Sequence, residues 1–325
     1  MIKRKISGIA VYVVIFLLAI SLAGCNPSES SLQELYEQTA DILLENGTPT
    51  VGSSNGEWAV IGLSRSRKLT EVAAKGYLEN AESYVKNIGS ERLHNVKSTD
   101  NSRMILGITA AGGDPTNIGG YDLTAGLSDM EYIKGQGYNG PIWALIALDS
   151  KQYEIPKAEN AENQTTREKL VAYILSVQSG DGGWGLMDDT SDIDMTAMAL
   201  QSLAPYQEQD EVNTAIQEAL NYLSERQLES GGFESYGTTN SESCSQVIVA
   251  LTALNIDPLT DSRFIKNDKT ILDALCSFSV DGGFCHQLKM PEADVMATEQ
   301  AYYALTAYFR FQKGETALYD MRDIQ

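Results

Sequence analysis

The sequence is short of the groups that most catalysts rely on. Its 325 residues include only two histidines, His94 and His286, so acid–base chemistry built on imidazole has almost no material. Lys and Arg number 24 against 44 Asp and Glu, a net charge of −20, and a nucleic-acid surface needs clustered cations instead. No phosphate loop, Ser-His-Asp set or His-Glu-x-x-His metal motif is present. Aromatic residues make up 8%, little with which to steady a carbocation. Hydrophobic residues nonetheless reach 43%, which argues against disorder, and the acidity reads as a solvated surface that stays soluble near a membrane.

The N-terminus carries an export signal. Lys3, Arg4 and Lys5 precede an almost unbroken apolar stretch from Ile9 to Leu22, too short for a stable span. It ends in Leu22-Ala23-Gly24-Cys25, which resembles the bacterial lipobox. That resemblance implies cleavage after residue 24 and lipidation of Cys25, with the protein held at the extracytoplasmic face of the membrane. The expected organisation is a signal peptide over 1–24, the lipidated Cys and a short linker over 25–30, and one folded unit over 31–325. Export permits a disulfide, and Cys276 and Cys285 flank one loop; buried thiols are the alternative, and Cys244 completes an odd set.

The rest of the chain repeats. Three Gly-Gly pairs sit in near-identical phrases, Gln178-Ser-Gly-Asp-Gly-Gly-Trp184, Gln227-Leu-Glu-Ser-Gly-Gly-Phe233 and Ser277-Phe-Ser-Val-Asp-Gly-Gly-Phe284. Each follows an amphipathic pattern (170–177, 215–228, 271–278) and precedes a more apolar one (194–203, 245–254, 298–309). Weaker copies place outer segments at 32–44, 72–88 and 123–133 and inner ones at 58–63, 102–111 and 141–148. The expected fold is all-α: an α6/α6 toroid of six helical hairpins with glycine-rich turns, outer helix, turn, inner helix. Gly183, Gly232 and Gly283 are expected to supply the backbone freedom of the turns. Trp143, Trp184, Phe233 and Phe284 are read as packing.

Aligning the inner helices on Gly62, Gly107, Ala144, Ala199, Ala250 and Ala304 puts Glu57, Ser102, Asn139, Asp194, Ser245 and Glu299 five positions earlier. Arg103, Gln246 and Gln300 fall one position later. Parallel inner helices would gather these polar residues at one end of a central cavity, as a binding site requires. Helix capping explains part of the set equally well. It does not explain Arg103, which is expected to pair with Glu57, Asp194 or Glu299, or to meet an anionic ligand.

The Gln-x-x-x-Gly-Gly-Trp/Phe phrases resemble the repeats of squalene cyclases and protein prenyltransferase β subunits, which form α6/α6 toroids. Class II cyclases carry Asp-x-Asp-Asp-Thr-Ala, with the middle Asp as general acid. Asp192-Ile193-Asp194-Met195-Thr196-Ala197 is similar, but Met195 replaces the last Asp. By that resemblance Asp194 is the acid and Asp192 its neighbour. The zinc set of the prenyltransferases is matched by Glu242 and Cys244 alone; Thr298-Glu299 stands where its His belongs, so no metal or other cofactor is expected. Asp194-Met-Thr-Ala-Met-Ala199 also resembles a phrase of the cobalamin carriers. The leading expectation is therefore a non-catalytic, membrane-anchored toroid that binds a small ligand (a corrinoid, lipid or glycan) through Asp194, Gln246, Gln300, Glu299, Arg103 and Asn139. A protein-binding or adhesive surface module and a cyclase-like enzyme are the alternatives.

Overall fold

The computed structural model describes residues 28–158 and 162–324. The expected signal peptide over 1–24 and Cys25 lie outside them. No helix among the described residues is long and apolar enough to cross a membrane.

Among the described residues twelve α-helices succeed one another: α1 (Glu29–Glu45), α2 (Glu57–Arg65), α3 (Glu71–Ile88), α4 (Ser98–Ala110), α5 (Met130–Lys134), α6 (Asn139–Asp149), α7 (Arg167–Ser176), α8 (Ile193–Leu203), α9 (Asp210–Arg226), α10 (Ser241–Ala253), α11 (Ile271–Ser277) and α12 (Val295–Gln312). Strands among the described residues are two-residue hairpin ladders in the turns, such as Ser279–Val280 against Gly283–Phe284. Burial separates the helices into two kinds. Along α6 every residue from Gly140 to Leu148 is buried, whereas α9 buries one stripe, Val212, Ala215, Ile216, Ala219, Leu220, Tyr222 and Leu223. The even-numbered helices form the inner layer, each packed on the next, and α12 packs back on α2 to close the ring. The fold is an α/α toroid.

Outer helices α7, α9 and α11 rest on α6, α8 and α10, which precede them, and α1 rests on α12, whereas α3 and α5 contact α4 and α6, which follow them. One expectation needs correction. The outer segment expected over 123–133 is not one helix. Asp122 draws in the Thr124 N–H and hydroxyl, and Asp129 caps a new start by accepting from Glu131 N, so the segment divides into a 3-10 turn over Ala125–Leu127 and the five-residue α5.

The glycine phrases work through three devices. The left-handed residue is the first glycine of each pair, Gly182 (φ +88°), Gly231 (φ +83°) and Gly282 (φ +88°); of the second ones only Gly283 has positive φ. A Cβ on Gly182 would lie 2.7 Å from the Glu218 carbonyl, and one on Gly231 would collide with that of Thr270. In two of the phrases the leading glutamine pins the turn to the next stretch of chain. Gln178 Nε2 donates to Gly182 O (2.8 Å) and Ala215 O (2.9 Å), and Gln227 Nε2 to Gly231 O (2.8 Å) and Phe264 O (3.0 Å). Finally Trp184, Phe233 and Phe284 are fully buried, as their packing role requires. All three remaining thiols are free, so Cys276 and Cys285 are not joined; burial pushes Cys244 and Cys276 up to about 12.

Gly231→Ala combines left-handed strain with a backbone collision and is expected to destabilise by about 2–4 kcal/mol. Gly237→Ala has similar φ (+78°) but open space around it, and should cost about 1 kcal/mol. Chemical denaturation of both variants checks the order; equal losses would contradict the close-approach account.

Candidate functional site

The inner helices point the same way. Arg103 near the start of α4 meets Glu57 at the start of α2, and Ala110 O at the end of α4 accepts from the Ser64 hydroxyl near the end of α2. Their first turns therefore share one mouth of the ring.

At that mouth the cyclase-like phrase serves the repeat. Asp192 caps α8, its Oδ1 accepting from Asp194 N (3.0 Å) and Met195 N (3.1 Å), and its Oδ2 accepts from the Ser235 hydroxyl (2.6 Å). Thr196 donates to Asp192 O (2.7 Å) and accepts from Trp184 N (3.0 Å). The same device recurs on α12, where Asp294 caps Ala297 N and Thr298 accepts from Phe284 N (2.9 Å). Asp192 is thus a structural cap with both oxygens engaged. Counting from the caps Asp192, Asn240 and Asp294 pairs Asp194 with Glu242 and Met296. Ser245 and Glu299, set level with Asp194 by the small-residue alignment, lie one turn further along their helices.

What remains is a set of buried polar groups outside the capping network: Asn139 Oδ1 on α6 and Glu299 Oε2 on α12 have no hydrogen-bond partner, and Asp194 Oδ1 on α8 and Ser243 Oγ on α10 have only each other's side chain nearby. Each belongs to the first turns of its helix, and the four helices are consecutive around the ring. An unsatisfied buried group costs roughly 1–3 kcal/mol, a large share of a total stability of about 5–15 kcal/mol. Such a cluster is a place built for something else to bind.

Burial sets the charge state of these groups. Asp194 is raised to about 6, chiefly by desolvation and further by Asp192 and Glu242, with Ser243 and His286 pulling the other way. Glu299 is raised to about 8 by desolvation, only partly offset by the Asn55 N–H that donates to Oε1 (2.5 Å), and Glu57 adds to the rise. Glu299 is therefore mostly protonated at neutral pH and offers a hydroxyl. Glu57 also rises through burial, although Arg103 Nε donates to it at 3.0 Å.

The other expected residues are engaged within the protein. Arg103 pairs with Glu57 and, at 3.4 Å, with Asp100, so its charge is already matched. Gln246 Nε2 donates to Gln300 Oε1 (3.0 Å) and Tyr303 Oη (2.6 Å), and its Oε1 accepts from Gln201 (3.0 Å). These glutamines tie α8, α10 and α12 together. Trp58 stacks obliquely on Trp143 (centroids 5.2 Å apart) and meets Tyr303 edge-on (6.1 Å). Trp143 lies one helical turn below Asn139, and Tyr303 three residues beyond Gln300, so these rings form the floor of the mouth. Trp58, Arg103, Asn139, Asp194 and Gln300 are half-buried in helices whose other residues are mostly buried, which marks the mouth as open. Sequence reasoning passes over Trp58 and Tyr303 as site residues, because nothing in the spacing pairs residues 58, 143 and 303. Among the described residues no acidic, His or Cys cluster could hold a metal.

Residues 135–313 match the prenyltransferase alpha-alpha toroid domain family, and over more than half of its length the chain belongs to that family. No curated protein matches the sequence. The apo structure of the type II terpene cyclase MstE from Scytonema is similar over 86% of this chain and 99% of that one, with TM-score 0.58 and 12% identity. The unsaturated glucuronyl hydrolase of Bacillus sp. GL1 is similar over 90% and 99%, with TM-score 0.58 and 12% identity. At this identity the likeness is one of fold.

Because Glu299 is raised above its unfolded value, it favours folding fully below about pH 4.5, and that contribution is lost as pH rises through about 8. Glu299→Gln should remove the loss, gaining roughly 2–4 kcal/mol over the native protein at pH 9 and little at pH 5. Melting curves across that range check this; parallel pH profiles would show that Glu299 is not the buried acid described.

Proposed function

We propose that this member of the prenyltransferase alpha-alpha toroid family is a lipoprotein anchored through Cys25 at the outer face of a bacterial membrane, and that its toroid captures a glycan at the mouth formed by the first turns of the inner helices. The observation that carries the reading is the set of buried polar groups in the first turns of α6, α8, α10 and α12 that the capping network leaves unengaged, together with the Trp58–Trp143–Tyr303 rings. Flat aromatic faces suit the C–H faces of a sugar ring, and the amide, hydroxyl and carboxyl groups around them suit its hydroxyls. Glu299 supplies a donor, while Asn139 and Asp194 supply acceptors. Arg103 is already matched by Glu57 and Asp100, which weighs against the anionic head of a lipid or the phosphate of a corrinoid. The glucuronyl hydrolase neighbour, which bears on glycosaminoglycan degradation, is a precedent for sugar handling on this fold. The lipobox-like end at Cys25 supports the anchoring.

One observation favours a second reading, an enzyme with Asp194 as general acid. Its carboxyl, raised to about 6, holds a proton at mildly acidic pH, and the terpene cyclase neighbours show that the toroid accommodates such chemistry in other chains. Met195 in place of a third Asp, and Asp192 committed to capping, weigh on the other side.

The soluble domain from residue 26 should bind an oligosaccharide in a glycan-array screen followed by calorimetry. Asp194→Asn and Trp58→Ala should each weaken it at least tenfold. No retained glycan, or unchanged affinity in both variants, contradicts the binding reading. Turnover of the bound sugar, or of an isoprenoid, that is lost in Asp194→Asn would establish the enzyme instead. In cells, Cys25→Ser should move the protein from the membrane to the soluble fraction; persistence in the membrane contradicts the anchor.

A further inference from the structure

The opposite mouth, at the C-terminal ends of the inner helices, holds a separate cavity of about 700 Å³. The chain after α12 turns back beneath the ring and forms one of its walls. Met321 N donates to Ser150 O (2.7 Å), while Arg65 and Arg310 hold Asp323 at 2.5 and 2.9 Å. From that segment Tyr319 reaches Trp143 edge-on, with centroids 5.8 Å apart, and Trp143 in turn packs on Trp58. An aromatic column thus stands between this cavity and the mouth lined by Asp194.

Two buried polar atoms of the lining have no partner. Gln201 is 6% exposed, and its Nε2 donates to both the backbone and side-chain oxygens of Gln246 (2.9 and 3.0 Å). That fixes the amide and leaves Gln201 Oε1 buried without a donor. Tyr319 is 9% exposed, its hydroxyl is equally unpartnered, and burial holds it far above the usual tyrosine range, hence neutral. The charges around them are already matched. Asp149 accepts from Arg167 Nε (2.6 Å) and the Tyr206 hydroxyl (2.8 Å), and Asp320 from Arg322 (2.8 and 2.6 Å).

An ion entering here would unbalance one of those pairs. A secondary amide supplies what is missing, an N–H for Gln201 Oε1 and a carbonyl for the Tyr319 hydroxyl. Val249, Ala253 and Leu318 offer apolar wall to the rest of the molecule, and the volume falls within the range of small-molecule sites. We propose that this cavity is a second binding site, which takes an uncharged small molecule through a secondary amide. An N-acetylated sugar and a short peptide share that chemistry.

The test is calorimetric titration of the soluble domain with diacetylchitobiose, with N-acetyl-dialanine N-methylamide, and with cellobiose as the amide-free control. One of the two amides should bind and cellobiose should not. Tyr319→Phe and Gln201→Met should each weaken the amide at least tenfold. The Tyr319→Phe melting temperature should match the native one, because the hydroxyl it removes is bonded to nothing; that variant keeps the test decisive even if Gln201→Met unfolds. Asp194→Asn should leave this affinity unchanged, which separates the site from the one at the other mouth. Failure of both amides to bind, or equal binding by Tyr319→Phe, overturns the proposal.

Discussion

The structure depends on the seam where the last inner helix meets the first. At this seam α12 approaches α2 so closely that a Cβ on Gly62 would sit 2.8 Å from the Tyr302 ring, and the Tyr302 hydroxyl donates to Ser66 (2.8 Å). Above that contact Asn55 N donates to Glu299; below it Arg310 donates to Arg65 O (2.9 Å), and both guanidinium groups hold Asp323. Two buried arginines are tolerable only because each finds several oxygen partners. Closure gives every inner helix two inner neighbours. It also sets Glu57 between Arg103 on one side and the region of Glu299 on the other.

The two ends of the ring differ for a physical reason. At the C-terminal end the returning chain covers the inner helices, its Asp323 pairing with Arg65 and Arg310 and its Asp320 with Arg322. At the N-terminal end α8, α10 and α12 are capped from their own turns by Asp192, Asn240 and Asp294, which frees Asp194, Ser243 and Glu299 from that duty. Groups left unsatisfied in this way lower stability and keep a site ready for a ligand, the usual exchange between stability and function.

Much of the fold was legible in sequence, because the signals are local. The inner helices stand out as apolar stretches, the Gly-Gly-aromatic phrases mark the turns, and the glutamine spacing reflects a staple that needs four residues to reach back. The rest depended on long-range partners. Arg103 had three possible carboxylates, and only packing of α4 on α2 chose Glu57. The cap register could not be read from the small residues, since α8 begins its cap three residues nearer to Ala199 than α10 does to Ala250. Trp58, Trp143, Tyr303 and Tyr319 form one column from four distant segments, and no periodicity connects them. The role of Asp192 was misleading for the opposite reason: a cap and an acid motif use the same residue type.

The unpartnered groups of the N-terminal mouth serve a ligand rather than the fold, and on that claim the rest turns. Ser243→Ala addresses it most directly, because the buried hydroxyl it removes takes no part in the capping network and faces only the Asp194 carboxyl. Thermal unfolding with and without bound glycan should show an apo protein as stable as the native one or more so, with a smaller ligand-induced rise. A melting temperature lowered by several degrees, with the ligand-induced rise unchanged, would contradict it.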